Sequence, residues 1–289
     1  PNGPSGSLIS HRNASKYLFI NCDRGNGYKY REMQTGKAKP KSAQPRISQR
    51  FSLDAINPEK NPNWAKSYSH YEPGKGYAYC NLNFNMIGAI IEKISGERFD
   101  QYVIKHVLDP LGLYGGYDVD GLDKSRFASI YEYRADSSKF ILSESAYASR
   151  AKDISNYAMG YTTPVFSPTG GMKISATDLA QYMLMHNNLG KYKGKRIISK
   201  KSAQQMQTAL SEEEGYGFAI ETTSKMIPGK TMKGHTGVAY GLFSAMFFHP
   251  EEKFGIVVIS NGCAPGYSEG YNTVIRKTVN CLYESLIVN

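Results

Sequence analysis

The feature that most constrains the fold is a run near the C-terminal end. Residues 254–259, within FGIVVISN (254–261), are apolar at successive rather than alternate positions. A strand with one wet face alternates, so this run predicts a central strand covered on both faces. Such a strand needs a neighbour on each side, because an exposed apolar edge invites aggregation. GLFSAMFFHP (241–250) supplies one neighbour through a short PEEK turn, as an antiparallel hairpin, and KTMKGHTGV (230–238) reads as a third strand before it. TVIRKTVNCLYESLIV then gives a terminal helix, with Val274, Val279, Leu282 and Leu286 placed to cover the sheet. No strand for the other side is read in residues 1–75, where PNGPSGS and the basic, proline-broken KAKPKSAQPR (37–46) indicate turns and exposed loop. The sheet is therefore expected to be incomplete.

Upstream lies GYAYCNLNFNMIGAIIEKISG (76–96), which opens with the triplet Tyr79-Cys80-Asn81 and runs into a helical pattern. Leu82, Met86, Ile87, Ile90, Ile91 and Ile94 recur at three- and four-residue spacing, predicting a buried face, and Gly96 supplies the left-handed residue that follows a helix end. A phenol and a carboxamide thus stand two residues apart at the mouth of an amphipathic helix. With 22 tyrosines in the chain, the triplet alone is better read as chance. ERFDQYVIKHVLDPLGL predicts a second helix through Leu108, stopped by Pro110, with His106 structural. Residues 115–165 show no clear period. In PTGGMKISATDLAQYMLMHNN (168–188), Ser175 and Asp178 form a capping box, Leu179, Tyr182, Met183 and His186 trace one face, and Gly170-Gly171 permit close backbone approach.

Composition narrows the function classes. Hydrophobic residues make up 40% and charged residues 21% of 289, which is a globular chain with a real core. The net charge of +10 favours anionic surfaces such as a membrane or cell wall, yet no nucleic-acid-binding module signature is present, and a solvated basic surface is the plainer reading. The stretch with Lys37, Lys39, Lys41 and Arg46 is read the same way. Cys22, Cys80, Cys263 and Cys281 lack metal-binding spacing, His11, His70, His186 and His249 are scattered singly, and no phosphate-binding glycine loop occurs, so no cofactor and no metal are expected. No apolar run has membrane-spanning length and no signal peptide is read; the chain starts at Pro1 rather than Met, so that says nothing of localisation.

The order of these pieces resembles the serine β-lactamase and penicillin-binding protein superfamily, closest to its class C β-lactamase-like branch of esterases, D-aminopeptidases and DD-peptidases. The pieces are EPGKGYAYCN (72–81), PLGL (110–113), PTGGMKISATDLAQYM (168–183), GYGFAI (215–220), GHTG (234–237) and HPEEKFGIVVISNG (249–262). The resemblance implies an α/β (α+β) fold: an antiparallel sheet flanked by helices plus a mainly helical region, with N-terminal strands missing. It divides the chain into 1–170, carrying Tyr-x-Asn, and 171–289, carrying the His-Thr-Gly strand. It implies an acyl-enzyme hydrolase of esters, amides or peptides, in which Tyr79 relays the proton and Asn81 hydrogen-bonds a lysine and the substrate amide. His235, Thr236 and Gly237 would form the third motif, with the Val238 amide completing an oxyanion hole. The partner implied is a small-molecule, peptide or cell-wall substrate, and the compartment implied is extracytoplasmic; oligomeric state is left open.

Two departures matter. The family's usual lysine is His235, whose reference pKa of roughly 6.5 makes a weaker cation near pH 7, tilting the reading away from a dedicated β-lactamase or carboxypeptidase toward an esterase, amidase or aminopeptidase-like substrate. Ser-x-x-Lys is absent before Tyr79; the one match, Ser149-Arg150-Ala151-Lys152, comes after it and reads as a chance hit on a surface helix. The expectation is a C-terminal fragment, inactive by itself, whose nucleophile lies upstream of Pro1. The alternatives are a non-catalytic penicillin-fold protein that binds through a degenerate cleft, and a glycan-binding module using the basic, tyrosine-rich surface.

Overall fold

The computed structural model describes residues 57–62, 77, 79–211 and 214–288, together with the backbone of 17–22. Residues 37–46 with their cations, His11 and His70 lie outside the described residues.

Among these, one sheet of five strands forms the centre: β1 (Tyr17–Cys22), β2 (Glu221–Ile227), β3 (Lys230–Ala239), β4 (Leu242–His249) and β5 (Phe254–Ser260), in spatial order β1-β5-β4-β3-β2. As expected, β5 is central and antiparallel to β4. The expectation of a missing neighbour is corrected: YLFINC, as β1, runs parallel to β5 with Tyr17 opposite Gly255 and Cys22 opposite Ser260. Parallel pairing leaves no local hairpin signal in sequence, which is why a short strand amid turn-rich chain escapes notice. β2 also went unread; it reaches β3 through Pro228-Gly229, where Gly229 has φ 76°. β3 and β4 are joined by Tyr240 and Gly241, both at positive φ (55° and 92°), the two-residue turn whose twist suits an antiparallel pair.

Helices cover both faces. Of α1 (Asn81–Ser95), α2 (Phe99–Val103), α3 (Ala176–Asn187) and α4 (Thr273–Tyr283), α3 and α4 do so, while α1 and α2 pack with each other and with the 163–166 turn. Because strand residues alternate, Phe254, Ile256 and Val258 pack with Ile275, Val279 and Leu282 of α4, while Val257 and Phe248 pack with Ala180 and Met183 of α3. Each buried valine, leucine, isoleucine, phenylalanine or methionine among them contributes roughly 1.5–3 kcal/mol. A Cβ on Gly255 would lie 2.5 Å from Met183 Cε, so glycine there sets how closely α3 can approach. Leu286, expected to cover the sheet, is exposed; the helix widens after Tyr283, and Ile287 packs against the core instead. Ser175 caps α3 as its sequence predicts, its Oγ accepting from the Asp178 amide at 3.0 Å.

The helical layer departs from expectation twice. Pro110 does not stop the second helix. A wide turn over Ile104–Leu108 follows α2, the path continues through Asp109–Leu111, and it ends at Gly112 with φ 68°. The wider turn displaces the carbonyl that a proline ring would otherwise strike. In α1, Ile87, Ile90 and Ile94 are exposed among the described residues, and the buried positions are Asn85, Gly88, Ala89 and Glu92. The small face is what fits here. A Cβ on Gly88 would meet Pro168 Cγ at 2.6 Å, so the 163–168 segment lies directly against α1.

That contact is organised by Glu92, only 1% exposed. Its Oε1 accepts from the Phe99 amide (2.7 Å) and the Tyr157 hydroxyl (2.5 Å), and its Oε2 from the Gly160 amide (2.6 Å) and the Thr163 hydroxyl (2.6 Å). Both oxygens are thereby satisfied, and hydrogen bonds to a carboxylate are the stronger kind. Burial and the Glu92 carboxylate together hold the Tyr157 phenol well above its ordinary value, so it remains a donor. Glu92→Gln replaces one acceptor oxygen with a donor facing other donors. It is expected to lower unfolding stability by about 3 kcal/mol, read from the urea midpoint. A loss below about 1 kcal/mol would show that the network can rearrange.

Candidate active site

Tyr79 leaves the chain just before α1, which is anchored through Glu92 and capped by Gly96 at φ 70°. His235 lies midway along β3, opposite Met246 of β4. The two meet at a cleft of about 250 Å³, walled by Tyr79 and Phe84 from α1's beginning, by Pro168, Thr169 and Gly170, and by Ala219. The Tyr79 and His235 ring centroids are 6.2 Å apart. Gly171 permits the 168–171 turn, since a Cβ there would sit 2.4 Å from the Phe166 carbonyl.

Strand alternation separates the remaining candidates. Thr236, Gly237 and Val238 line a smaller cavity of about 30 Å³ with Ser244, Tyr271 and Ile275, toward α4. Asn81 is the exposed first residue of α1 and is not part of the cleft wall. The structure thus brings Tyr79 and His235 together and sets Thr236, Val238 and Asn81 apart from them. β2 pairs with β3 only as far as Glu221 opposite Gly234, so among the described residues positions 235–239 pair on the β4 side alone. Among the described residues no strand covers the outer edge of the His-Thr-Gly segment.

Two tyrosines that sequence reasoning left unassigned belong to this site. The Tyr216 hydroxyl is 2.6 Å from His235 Nε2, and its ring lies edge-on to His235 and Tyr79. Tyr77 packs on Tyr216 with centroids 5.4 Å apart. Tyr216 reaches His235 because its flanking glycines let the loop fold back. A Cβ on Gly215 would be 2.2 Å from the Thr222 carbonyl, and one on Gly217 would be 2.5 Å from that of Met206. The GYG pattern was the available signal, though nothing in it names the partner. Ala219, on the cleft wall, sits at φ 63°, a conformation that costs a non-glycine residue energy and often marks a functional site.

The electrostatics favour neutral phenols. Tyr79 is pushed above its ordinary value by burial and then by Cys80; Tyr216 is pushed up by burial, then by Tyr79, Tyr77 and Glu221. No cationic side chain lines the cleft among the described residues. Ser149, of the lone Ser-x-x-Lys, is tied elsewhere: its hydroxyl donates to Asp120 at 2.5 Å and it takes no part in the cleft.

A five-stranded sheet covered by helices, with a cleft where the helical layer meets β3, is a β-lactamase-like architecture. A family model described as Beta-lactamase matches residues 57–280, and the chain belongs to that family. "Protein flp" of Staphylococcus aureus (strain MW2) is 22% identical over 202 residues, covering 66% of this chain and 34% of that protein. The chain therefore spans about a third of the length of the curated relatives it matches. Its fold is similar to the octameric penicillin-binding protein homologue from Pyrococcus abyssi, with TM-score 0.56 and 22% identity over 81% of this chain and 48% of that one. It is also similar to the D-amino acid amidase from Ochrobactrum anthropi SV3 complexed with L-phenylalanine, with TM-score 0.57 and 16% identity over 80% of this chain and 63% of that one.

The turn beneath the cleft carries a titrating support. Lys173 Nζ donates to the Gly171 carbonyl at 2.7 Å, and burial, then Arg150, lowers its pKa from 10.5 to about 8. Between those values the unfolded chain holds a proton that the folded chain has released, so stability rises with pH across that window. Denaturation midpoints measured from pH 7.5 to 10.5 are expected to show this rise, and Lys173→Met to flatten it. An identical pH dependence in both proteins would count against the assignment.

Proposed function

We propose that this chain carries the acid–base and strand-edge half of a serine hydrolase that works through an acyl-enzyme on an ester, amide or peptide. The observation that carries the reading is Tyr79 facing His235 across one cleft, at the edge of β3 that no strand covers among the described residues. An extended substrate can add itself to that edge by main-chain hydrogen bonds. The nucleophile is a Ser-x-x-Lys outside these 289 residues, since the one such motif within them is held by Asp120 away from the cleft.

In this mechanism the serine Oγ loses its proton and bonds to the substrate carbonyl carbon. The amides of Val238 and of the serine stabilise the oxyanion. Tyr79 delivers a proton to the departing oxygen or nitrogen, and water then hydrolyses the acyl ester. Burial holds this phenol protonated, so the phenolate left by donation needs a cation beside it. The ammonium of the motif's lysine is that cation: beside it Tyr79 takes the serine proton as a phenolate and then passes the same proton to the leaving group. Asn81 orients that lysine, and Thr236 and Gly237 shape the strand beside the substrate. His235 in place of lysine favours ester, amide or aminopeptidase-like substrates over those bearing a carboxylate.

The second reading is a non-catalytic binding protein, favoured by the lack of any cation lining the cleft among the described residues. Intact mass separates the two. The 32.1 kDa chain is expected to gain no adduct from a fluorophosphonate or a penicillin, and the complete gene product to gain one. In the acylating protein, Tyr79→Phe should slow acylation by about 100-fold or more. An adduct mapped to Ser149 would sink the proposed nucleophile, and a complete product that never acylates would leave the binding role.

A further inference from the structure

We infer that Tyr216 is a positioning residue that holds His235 as the neutral tautomer protonated on Nδ1, so that this end of the cleft presents no cation to a ligand.

The argument begins with donors and acceptors. His235 Nδ1 lies 2.5 Å from the Thr236 carbonyl oxygen, which can only accept, so Nδ1 carries the hydrogen. In a neutral ring the other nitrogen must then be the acceptor. Nε2 is 2.6 Å from the Tyr216 hydroxyl, the donor such a ring requires. Both ring nitrogens are thus occupied by fixed partners, and which nitrogen bears the proton is set by these second contacts. The phenol is a dependable donor. Its ring is packed between Tyr77 and Tyr79, and its backbone is pinned because the Tyr216 carbonyl accepts from the Leu210 amide at 2.8 Å. For the imidazole to gain a second proton, Tyr216 would have to rotate its hydroxyl away and accept. The titratable groups facing the pair are Tyr77, Tyr79 and Glu221; an ionised Glu221 would favour a second proton on the ring, and burial, which raises the Glu221 pKa, works against that charge.

The consequence concerns substrate class and rests on the hydrolase reading, whereas the tautomer does not. A carboxylate entering beside His235 would meet phenol oxygens and an imidazole whose Nδ1 proton and Nε2 lone pair are both taken. It would be desolvated without a counter-charge. An amide or ammonium group meets no such penalty, and aromatic faces attract a cation. Histidine here is therefore more than a weaker lysine: with Tyr216 beside it, it acts as an uncharged wall.

The test is long-range proton–nitrogen NMR on the 289-residue chain, with the His235 ring identified by its loss in His235→Gln. The expected wild-type pattern is a protonated Nδ1 and an unprotonated Nε2. A protonated Nε2, whether in a neutral or a doubly protonated ring, would overturn the proposal, with no variant required. In Tyr216→Phe the ring is expected to move toward a mixture of tautomers; an unchanged pattern would remove Tyr216's role. Titrating benzamide and its charged isostere benzoate into the same samples reads the consequence. Wild type should favour benzamide by about tenfold or more, and Tyr216→Phe should narrow that gap several-fold. Equal binding of the two by wild type would overturn the specificity argument. Because no step needs a nucleophile, failure of the hydrolase reading would show in the acylation experiment and leave these results standing.

Discussion

The position of the cleft depends on one buried carboxylate. Glu92 joins α1 to the 157–163 segment through donors from Tyr157, Gly160 and Thr163, and to the start of α2 through the Phe99 amide. A carboxylate taken out of water is costly unless every lone pair is engaged, so this arrangement holds only as a set. Its effect is geometric. Tyr79 is fixed by the start of α1, and Pro168 lies against Gly88 one turn before Glu92. Both walls on the helical side of the cleft are thus referred to the same point.

The opposite wall is fixed by a different rule, the two-residue period of a strand. β3 sends Met232 into the core beneath α4, and Thr236, at the same parity, lines the cavity beside Tyr271 and Ile275. His235, at the other parity, faces Tyr79. Gly234 makes the pairing with β4 close, since a Cβ there would sit 1.9 Å from the Met246 carbonyl. The motif's residues are adjacent in sequence but serve opposite faces, and only the backbone edge is common to both.

Much of this was legible in sequence where the signal is local. The unbroken apolar run of β5 required cover on both faces, and it has α3 and α4. Gly96 and Ser175 mark helix ends because their capping geometry involves only near neighbours. What escaped notice depended on distant partners. β1 is a strand because β5 accepts it, and α1 presents Gly88 and Glu92 inward because Pro168 and Tyr157 wait there, against the pull of its isoleucines. Of the site, Tyr79 and His235 could be picked out by motif. Tyr216 could not, because its contact with His235 arises only when the loop bearing Gly215 and Gly217 folds back on β2.

The charge balance of the cleft ties these parts to chemistry. Burial raises Tyr79, Tyr77, Tyr216 and Glu221 alike, so each step that would place a negative charge on a phenol is disfavoured in the surroundings described. The overall charge of +10 does not relieve this, because no cation lines the cleft among the described residues and exposed charges are screened within roughly 10 Å. A cleft with this balance keeps its phenols protonated, so they can neither take up a proton nor release one easily without a cation beside them. A hydrolase built on this cleft would therefore need a nucleophile accompanied by its own cation. A serine alone would not suffice, and a serine three residues before a lysine on one helix face meets both needs at once.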